Sequence, residues 1–248
     1  MTDTESGLPP AIEQLWGLRG PSRRGGPKPA LSLERIVAAA VELADAGGLA
    51  ALSMSRLAEK LGFTTMSLYR YVASKDDLLV LVLDAALGQP PTAPDGDWRA
   101  QCVGWAGALR DGYRQHPWTM ELPISGLPAG PNQLAWFDRG LAALAPTRLA
   151  EGEKASSVLL LATYVRSQTQ LMTDLIEAAR SGQTPDWAAV VERLADPARF
   201  PAVARVVAAG VFADDPDHPE QYPDDEFDFG LHRILDGIEV LHRSRVSA

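Results

Sequence analysis

Cysteine is almost absent from this chain of 248 residues, in which Cys102 stands alone. A single cysteine cannot form an intramolecular disulfide, so no disulfide framework stabilises the fold. The N-terminus lacks the basic segment followed by an apolar segment that is typical of a secretory signal. The longest run without charge or proline, residues 155–165, is far shorter than the ~20 residues that a membrane span needs. We therefore expect a cytoplasmic protein with no membrane partner.

Patterns typical of catalytic and metal sites are also scarce. The four histidines lie far apart in the sequence, and Cys102 lies on an apolar stripe, so neither supplies a nucleophile–base pair or a metal cluster. Residues 214–228 contain eight acidic residues but lack the spacing of an EF-hand, and we interpret them as a solvated loop. We expect no enzyme activity, no metal site and no cofactor.

Positive charge is scarce overall but concentrated in one part of the chain. The net charge is −9, yet residues 19–75 carry nine Lys or Arg and four acidic residues, a local charge of +5. The remaining residues therefore sum to −14. A basic segment on an acidic body is typical of a DNA-binding module joined to another domain, with a chance fluctuation as the alternative.

What the sequence has in abundance is apolar residues at helical spacing, and it has no convincing alternating strand pattern. The spacing predicts an all-α protein with nine or ten helices. We expect a flexible basic arm over residues 1–30 and a three-helix helix-turn-helix domain over residues 31–88. A proline- and glycine-rich segment, residues 88–97, then leads to a larger helical domain, residues 89–248.

Helix ends can be predicted from capping residues. Serine oxygens accept hydrogen bonds from the first turn of a helix, and glycine readily adopts the conformation that ends one. Helices are expected to begin after three serines, Ser32, Ser53 and Ser74. They are expected to end at four glycines, the pair Gly47–Gly48, then Gly62 and Gly88.

The segment around residues 65–71 has the pattern of a DNA-reading helix. Leu68 and Val72 can pack inward, while neighbouring hydroxyls face bases or phosphates and Met66 can contact a thymine methyl group. The alternative for Tyr69 and Tyr71 is a half-buried place in the core. The basic arm is expected to enter the minor groove, or else to be a disordered tail. The predicted DNA-binding residues are Arg23, Arg24, Lys28, Ser53, Thr65, Met66, Ser67, Tyr69, Tyr71 and Lys75.

Residues 31–84 resemble the N-terminal domain of TetR-type transcriptional regulators, which carry the pattern L-Y-x-Y-V-x-x-K-x-x-L-L found here at residues 68–79. The larger domain resembles the tetracycline-repressor branch of that family. The matching segments are RDG-x-x-x-H at residues 110–116, NQLA at residues 132–135 and FGLHRILDGIEVL at residues 229–241. Ser55 stands where members often have a base-reading arginine, and serine cannot form the bidentate pair with guanine.

The resemblance implies an all-α homodimer whose larger domain holds a ligand cavity and whose DNA-binding domains move apart or together with the ligand. It implies a ligand-responsive repressor that binds double-stranded operator DNA of pseudopalindromic sequence and is released by a small-molecule effector. The alternative is a DNA-binding dimeric regulator without a small-molecule switch.

The resemblance also suggests ligand contacts. His116 aligns with a histidine that ligates drug-bound magnesium in tetracycline-binding relatives, and Gln133 with a drug-contacting glutamine. The alternative for His116 is a cap at the helix end before Pro117. The mixture of aromatic and polar residues suits a flat aromatic or polycyclic effector, although each residue alone could belong to the core. The predicted ligand-binding residues are Trp105, Leu109, Tyr113, His116, Gln133, Trp136, Tyr164, Gln168 and Met172.

Dimerisation is expected through two helices, near residues 153–180 and 226–243. In the second helix, Gly230 and Gly237 are expected to let a partner helix approach closely. The apolar stripe expected to face the partner consists of Phe227, Leu231, Ile234, Ile238 and Leu241.

Overall fold

The structure, a computed structural model, describes residues 7–18, 30–124, 126, 128–181, 187–210 and 222–246. Across these ranges the regular elements are α-helices and one short 3-10 turn, which confirms the all-α prediction. None of the helices described is long and apolar enough to cross a membrane. The helices are α1 (Pro10–Leu15), α2 (Leu33–Ala51), α3 (Met54–Leu61), α4 (Thr65–Tyr69), α5 (Lys75–Leu87), α6 (Trp98–Gln115), α7 (Pro131–Leu144), α8 (Glu151–Arg180), α9 (Trp187–Leu194), α10 (Pro201–Ala208) and α11 (Tyr222–Val246).

Capping explains where the helices of the N-terminal domain begin. The hydroxyl oxygens of Ser32, Ser53 and Ser74 each accept a hydrogen bond from the backbone N–H three residues later, at 3.3, 3.2 and 3.0 Å, as predicted. Gly62 ends α3 with a φ of +75°. The glycine pair, residues 47–48, differs from the prediction because it kinks α2, which continues to Ala51.

Helices α2 to α5 enclose the core of the N-terminal domain, the part of the chain that we expected to bind DNA. Ile36 from α2, Leu57 from α3 and Leu78 from α5 are fully buried there. Leu68 and Val72 from the α4 segment are buried with them. These two side chains anchor the short α4 helix, which has too few residues to be stable by itself.

Helix α1 lies in the segment that we expected to be a flexible arm, so that expectation is wrong for residues 10–15. The helix packs on α5, with Ala11 buried. Its proline at the first position is compatible with a helix start. Gln14 donates a hydrogen bond to the Tyr71 carbonyl at 2.5 Å, and the Trp16 indole donates to the Ala129 carbonyl at 2.8 Å. The arm residues Arg23, Arg24 and Lys28 lie outside the described residues.

Helices α6, α7, α8 and α11 form the core of the larger domain. The stripe that we predicted to face a partner packs into this core. Its members Phe227, Leu231 and Ile238 are 2%, 1% and 6% exposed, so they cannot contact a second chain. Gly230 is also used internally, because a Cβ there would lie 2.6 Å from Cζ of Tyr164. Of the α11 residues predicted to face a partner, only Gly237 is fully exposed.

Two junctions join the domains, and the first is the 3-10 turn at residues Pro117–Glu121. Trp118 in this turn is 1% exposed and belongs to the core of the N-terminal domain. Its indole donates a hydrogen bond to Asp45 Oδ1 on α2 at 2.7 Å, and His116 Nδ1 lies 2.7 Å from the same oxygen. Arg166 on α8 donates to the carbonyls of Met120 and Leu122, both at 2.6 Å.

The second junction is the carboxylate of Asp84, near the end of α5. It accepts hydrogen bonds from the backbone N–H groups of Gln133 at 3.1 Å and Asn132 at 3.3 Å, at the start of α7. Gly130 at the N-cap has no side chain, so Asp84 supplies the cap from another helix. Burial raises the pKa of Asp84, while the two N–H groups act to lower it. Asp84 therefore fixes α5 against α7.

Gly130→Ala is expected to strain this second junction. The new Cβ would lie 2.6 Å from Cγ of the buried Asp84, so the backbone or the carboxylate has to move. We expect the free energy of unfolding to fall by about 1–3 kcal/mol, measured by denaturant titration. Gly126→Ala is the matched control, because a Cβ there has open space around it. Equal stability of the two variants would contradict the close packing of Gly130 on Asp84.

Candidate nucleic-acid interface and ligand pockets

Helix α4 presents an exposed face beside a buried one. Thr64 precedes the helix, and its hydroxyl oxygen accepts from the Ser67 N–H at 3.3 Å and lies 2.9 Å from Ser67 Oγ. Met66 is 72% exposed and Tyr69 is 45% exposed, whereas Leu68 between them is fully buried. Met66 and Tyr69 are therefore accessible to a partner molecule on a helix whose other face is anchored in the core.

Three of the other predicted DNA contacts lie on α4 or at the start of the next helix. Thr65 and Ser67 are half-buried on α4, and Lys75 is exposed at the first position of α5. The Ser53 hydroxyl caps α3. Tyr71 agrees with the alternative of a half-buried place in the core, because its hydroxyl donates to the Leu31 carbonyl at 2.9 Å and its ring packs on the domain core.

Two exposed arginines beside the predicted contacts were missed. Arg56 lies in the first turn of α3, and Arg70 lies at the C-terminal end of α4. Both belong to the basic segment of residues 19–75, and their positions at helix ends close to residues 65–71 were the available signal. With Lys75 they supply positive charge on the elements that flank α4, which suits a phosphate backbone.

The first of two described pockets lies between the proline-rich segment after α5 and helices α6 and α7. This linker pocket is shallow, and its space measures about 290 Å³ when the open solvent in its mouth is included. Trp105 and Trp136 line it with an edge-to-face contact at 6.2 Å, and the Trp105 indole donates to the Trp136 carbonyl at 3.0 Å. The other lining residues are Pro90, Pro91, Thr92, Ala93, Pro94, Gln101, Gly104, Arg139 and Ala143.

The second pocket, which we call the arginine pocket, is a shallow depression between α6, α8 and α11, and its space measures about 290 Å³ when the open solvent in its mouth is included. Two predicted ligand contacts, Gln168 and Met172, line it. It combines apolar side chains with two guanidinium groups, a mixture typical of small-molecule sites. The remaining lining residues are Arg110, Arg114, Thr169, Thr173, Ile176 and Phe227.

The other predicted ligand contacts lie elsewhere. Leu109 is buried in the core of the larger domain, where Tyr113 packs against it. Burial raises the pKa of Tyr113. The Tyr164 hydroxyl donates to the Phe227 carbonyl at 2.8 Å, and Gln133 Oε1 accepts from the Ala129 N–H at 3.2 Å.

His116 points towards the DNA-binding domain. Its ring lies beside Trp118 and Asp45, and it lines neither of the two pockets. Its backbone N–H closes α6 by donating to the Gly112 carbonyl, which agrees with the alternative of a residue at the helix end. Within the ranges that the structure describes, no three potential metal ligands come together. The geometry thus places His116 at a domain junction.

Comparison with known proteins identifies the class. The profile of bacterial regulatory proteins of the tetR family matches residues 36–82, and that of the tetracyclin repressor-like C-terminal domain matches residues 90–242. The second match alone spans more than half of the chain. The protein belongs to the TetR family of transcriptional regulators, with a C-terminal domain of the tetracycline-repressor type, as the sequence resemblance predicted.

Three relatives illustrate the similarity. The chain is 38% identical over 244 residues to the HTH-type transcriptional repressor DrrR1 of Streptomyces coeruleorubidus, which covers 94% of this chain and 86% of that repressor. The structure resembles the Streptomyces coelicolor TetR family protein ActR in complex with actinorhodin, with a TM-score of 0.73, 28% identity, and coverage of 86% of this chain and 97% of that one. The ActR complex with (S)-DNPA gives a TM-score of 0.71 at 27% identity, with coverage of 86% and 99%.

Lys75→Gln is expected to weaken DNA binding through the loss of a phosphate contact. The slope of log affinity against log salt concentration should become shallower by about 0.9 for each DNA-binding domain on the duplex. Fluorescence anisotropy with a labelled mixed-sequence duplex measures it. Lys154→Gln is the control, because Lys154 lies on α8 and pairs with Glu151 at 2.7 Å. An equal change of slope in both variants would show that Lys75 makes no specific phosphate contact at the interface.

Proposed function

We propose that the protein is a ligand-responsive transcriptional repressor that acts on DNA in the cytoplasm. It binds a pseudopalindromic operator as a homodimer and is released by a small aromatic or polycyclic effector. The observation that carries this proposal is the anchored α4 helix, which exposes Met66 and Tyr69 while buried polar contacts join its domain to the pocket-bearing domain. An exposed reading helix connected in this way can respond to events in the second domain.

The relatives support both halves of the proposal. The name of the Streptomyces coeruleorubidus relative calls it a repressor. The two ActR structures hold actinorhodin and (S)-DNPA, so a protein of similar architecture takes up small molecules. The apolar walls of both pockets in this chain are compatible with an aromatic effector.

The proposed dimer uses the outer faces of α8 and α11. Leu160 and Leu171 on α8 are 52% and 50% exposed, with Thr163 and Ser167 exposed between them at helical spacing. On α11, an exposed stripe contains Phe229, Arg233, Gly237, Val240 and Ser244. Exposed leucines aligned on one face of a long helix are typical of an interface. A two-fold axis would bring the same faces of two protomers together.

Helix α8 connects this interface with both the pocket and the DNA-binding domain. Gln168 and Met172 on α8 line the arginine pocket, and Arg166 on the same helix holds the carbonyls of the 3-10 turn. Trp118 of that turn is embedded in the core of the DNA-binding domain. A ligand that shifts α8 would therefore move the 3-10 turn against α2. The spacing of the two reading helices, about 34–36 Å on consecutive turns of DNA, would change as a result.

The alternative is a dimeric DNA-binding regulator without a small-molecule switch. The contacts of Asp84 and Trp118 would then serve only to hold the domains together. The two proposals differ in one respect, because a switch requires a ligand that binds one spacing of the reading helices more tightly than another. An enzyme is not proposed, since the described residues contain no nucleophile–base pair in a pocket.

Gly237→Leu is expected to disrupt the dimer. A Cβ at Gly237 has open space within its own chain, so the larger side chain fits the protomer and obstructs only a partner helix. Gly152→Leu on α8 is the control, because it is equally exposed and has open space. Light scattering at micromolar concentration should report a monomer for the first variant and a dimer for the second. A dimer in both variants would place the interface elsewhere.

Operator structure can be tested without a known target. The full-length protein is used to select bound duplexes from a randomised pool, which are then sequenced. We expect enrichment of an inverted repeat whose half-sites lie one DNA turn or a multiple of it apart, because a two-fold dimer reads both. Enrichment of a single half-site, or of no sequence, would contradict the repressor proposal.

The switch is tested with actinorhodin as the probe, since a similar fold binds it. Affinity for the selected duplex should fall by about 5- to 150-fold when the probe is bound, the range for 1–3 kcal/mol of coupling. By reciprocity, the duplex should weaken probe binding by the same factor in calorimetry. Equal affinities in both titrations would favour the regulator without a switch.

A further inference from the structure

Two arginines of the arginine pocket donate hydrogen bonds to the same carboxylate oxygen. Arg114 donates to Asp224 Oδ1 at 2.6 Å, and Arg110 donates to the same oxygen at 3.3 Å. The two guanidinium groups thus face one directly bound carboxylate, and the hydrogen bond from Arg114 together with the positive charges of both arginines lowers the pKa of Asp224. The side chain of Asp224 is half exposed, so water competes for its ion pairs.

Arg110 has an unused hydrogen-bond donor. Its Nε atom is buried and has no partner among the described residues. The guanidinium lies 4.3 Å from the centre of the Phe227 ring and its side chain is 17% exposed. A buried N–H without an acceptor is costly, so Arg110 Nε can gain from an acceptor that a bound molecule supplies. Arginine can hold a carboxylate with two parallel hydrogen bonds, and Asp224 takes only one contact from Arg110.

The rest of the pocket suits the body of an organic molecule. Met172, Ile176 and Phe227 supply apolar surface on α8 and α11. The hydroxyls of Thr169 and Thr173 donate to α8 carbonyls at 2.6 and 2.8 Å, which leaves their oxygens free to accept. An apolar wall with positive charge at one end favours a planar molecule with one acidic group.

We propose that the effector is an aromatic carboxylate, whose acid group takes the place of Asp224 against Arg110 and Arg114 in the arginine pocket. This inference rests on the proposed function and adds the chemical class of the effector. The aromatic body lies against Met172, Ile176 and Phe227. The linker pocket, which contains Arg139 and no second guanidinium, is not the acid-binding site.

Displacement of Asp224 also links the effector to the dimer. Asp224 lies in the first turn of α11, and its ion pairs tie that turn to α6. The carboxylate of an incoming effector breaks these ion pairs, while the aromatic part of the effector contacts α8. Both helices of the proposed interface therefore respond to a single acid group.

The test compares 2-naphthoate with the neutral 2-naphthamide, two probes of nearly equal size. Calorimetry on the full-length protein should show that the acid binds at least about tenfold more tightly, because hydrogen bonds to charged groups are the stronger ones. Arg114→Gln is expected to abolish this preference. Arg139→Gln in the linker pocket should retain it. Equal binding of acid and amide, or no measurable binding of either at millimolar concentration, would overturn the proposal.

Asp224→Asn separates ligand binding from a structural role of the ion pairs. The carboxylate that competes with the acid is removed, so 2-naphthoate should bind several-fold more tightly, whereas 2-naphthamide should be unaffected. Asp225→Asn, a change of the neighbouring exposed acid, should leave both affinities unchanged. Weaker binding of the acid in Asp224→Asn would show that the ion pairs only hold the pocket together, and the proposal would fail.

The outcome is independent of the DNA experiments. If the inverted repeat is selected and the acid preference is absent, the repressor stands and only the effector class is wrong. If the acid preference is present and no inverted repeat is selected, the pocket stands and the repressor function is wrong.

Discussion

The buried carboxylate of Asp84 is the contact on which the arrangement of the two domains depends. It lies on α5, whose other end carries Lys75 at the candidate DNA interface, and it caps α7 of the larger domain. A helix of 13 residues spans about 20 Å, so α5 converts a small rotation at Asp84 into a larger displacement at its other end. The position of the reading helix is therefore set by a hydrogen-bonded cap.

Polar contacts suit such a junction better than an apolar one would. The Trp118 and Asp84 hydrogen bonds have defined directions, so two arrangements of the domains would be distinct states rather than a continuum. Arg166 links the first junction to α8, the helix that also lines the arginine pocket and carries the exposed leucines. Helix α8 thus contributes to both the arginine pocket and the proposed interface. Helix α5 connects the larger domain to the candidate DNA interface. In the proposed switch, these two helices are the route by which one small ligand would affect DNA affinity.

Features that depend on neighbours in the sequence could be predicted. The serine caps, Gly62 and the buried pair Leu68 and Val72 follow from local propensity and spacing, and the structure confirms each. Helix α1 was missed because six residues are too few for a visible period. The stripe on α11 was assigned to the wrong partner because that helix has apolar residues on both faces, and spacing does not say which face is covered by its own chain.

Contacts between distant residues could not be predicted. His116 and Asp45 are 71 positions apart, and Arg110 and Asp224 are 114 positions apart, so no local pattern indicates either pair. The resemblance to tetracycline-binding proteins suggested a ligand role for His116. In this chain, however, its ring nitrogen Nδ1 pairs with the carboxylate of Asp45 on α2. The arginine pocket became visible only when three helices were brought together. Candidate ligand residues could therefore be identified only from the fold, whereas most candidate DNA residues could be proposed from the sequence.

The most direct measurement is the distance between the two DNA-binding domains of the proposed dimer. A spin label is placed at Glu59→Cys, an exposed position on α3, since burial raises the pKa of the Cys102 thiol to about 12 and keeps it unreactive. Pulsed electron paramagnetic resonance should give a narrow distance distribution for the otherwise unaltered protein and for the control Asp138→Ala on the exposed side of α7. Asp84→Ala should broaden it. An unchanged distribution in Asp84→Ala would contradict the claim that this carboxylate sets the position of the reading helices.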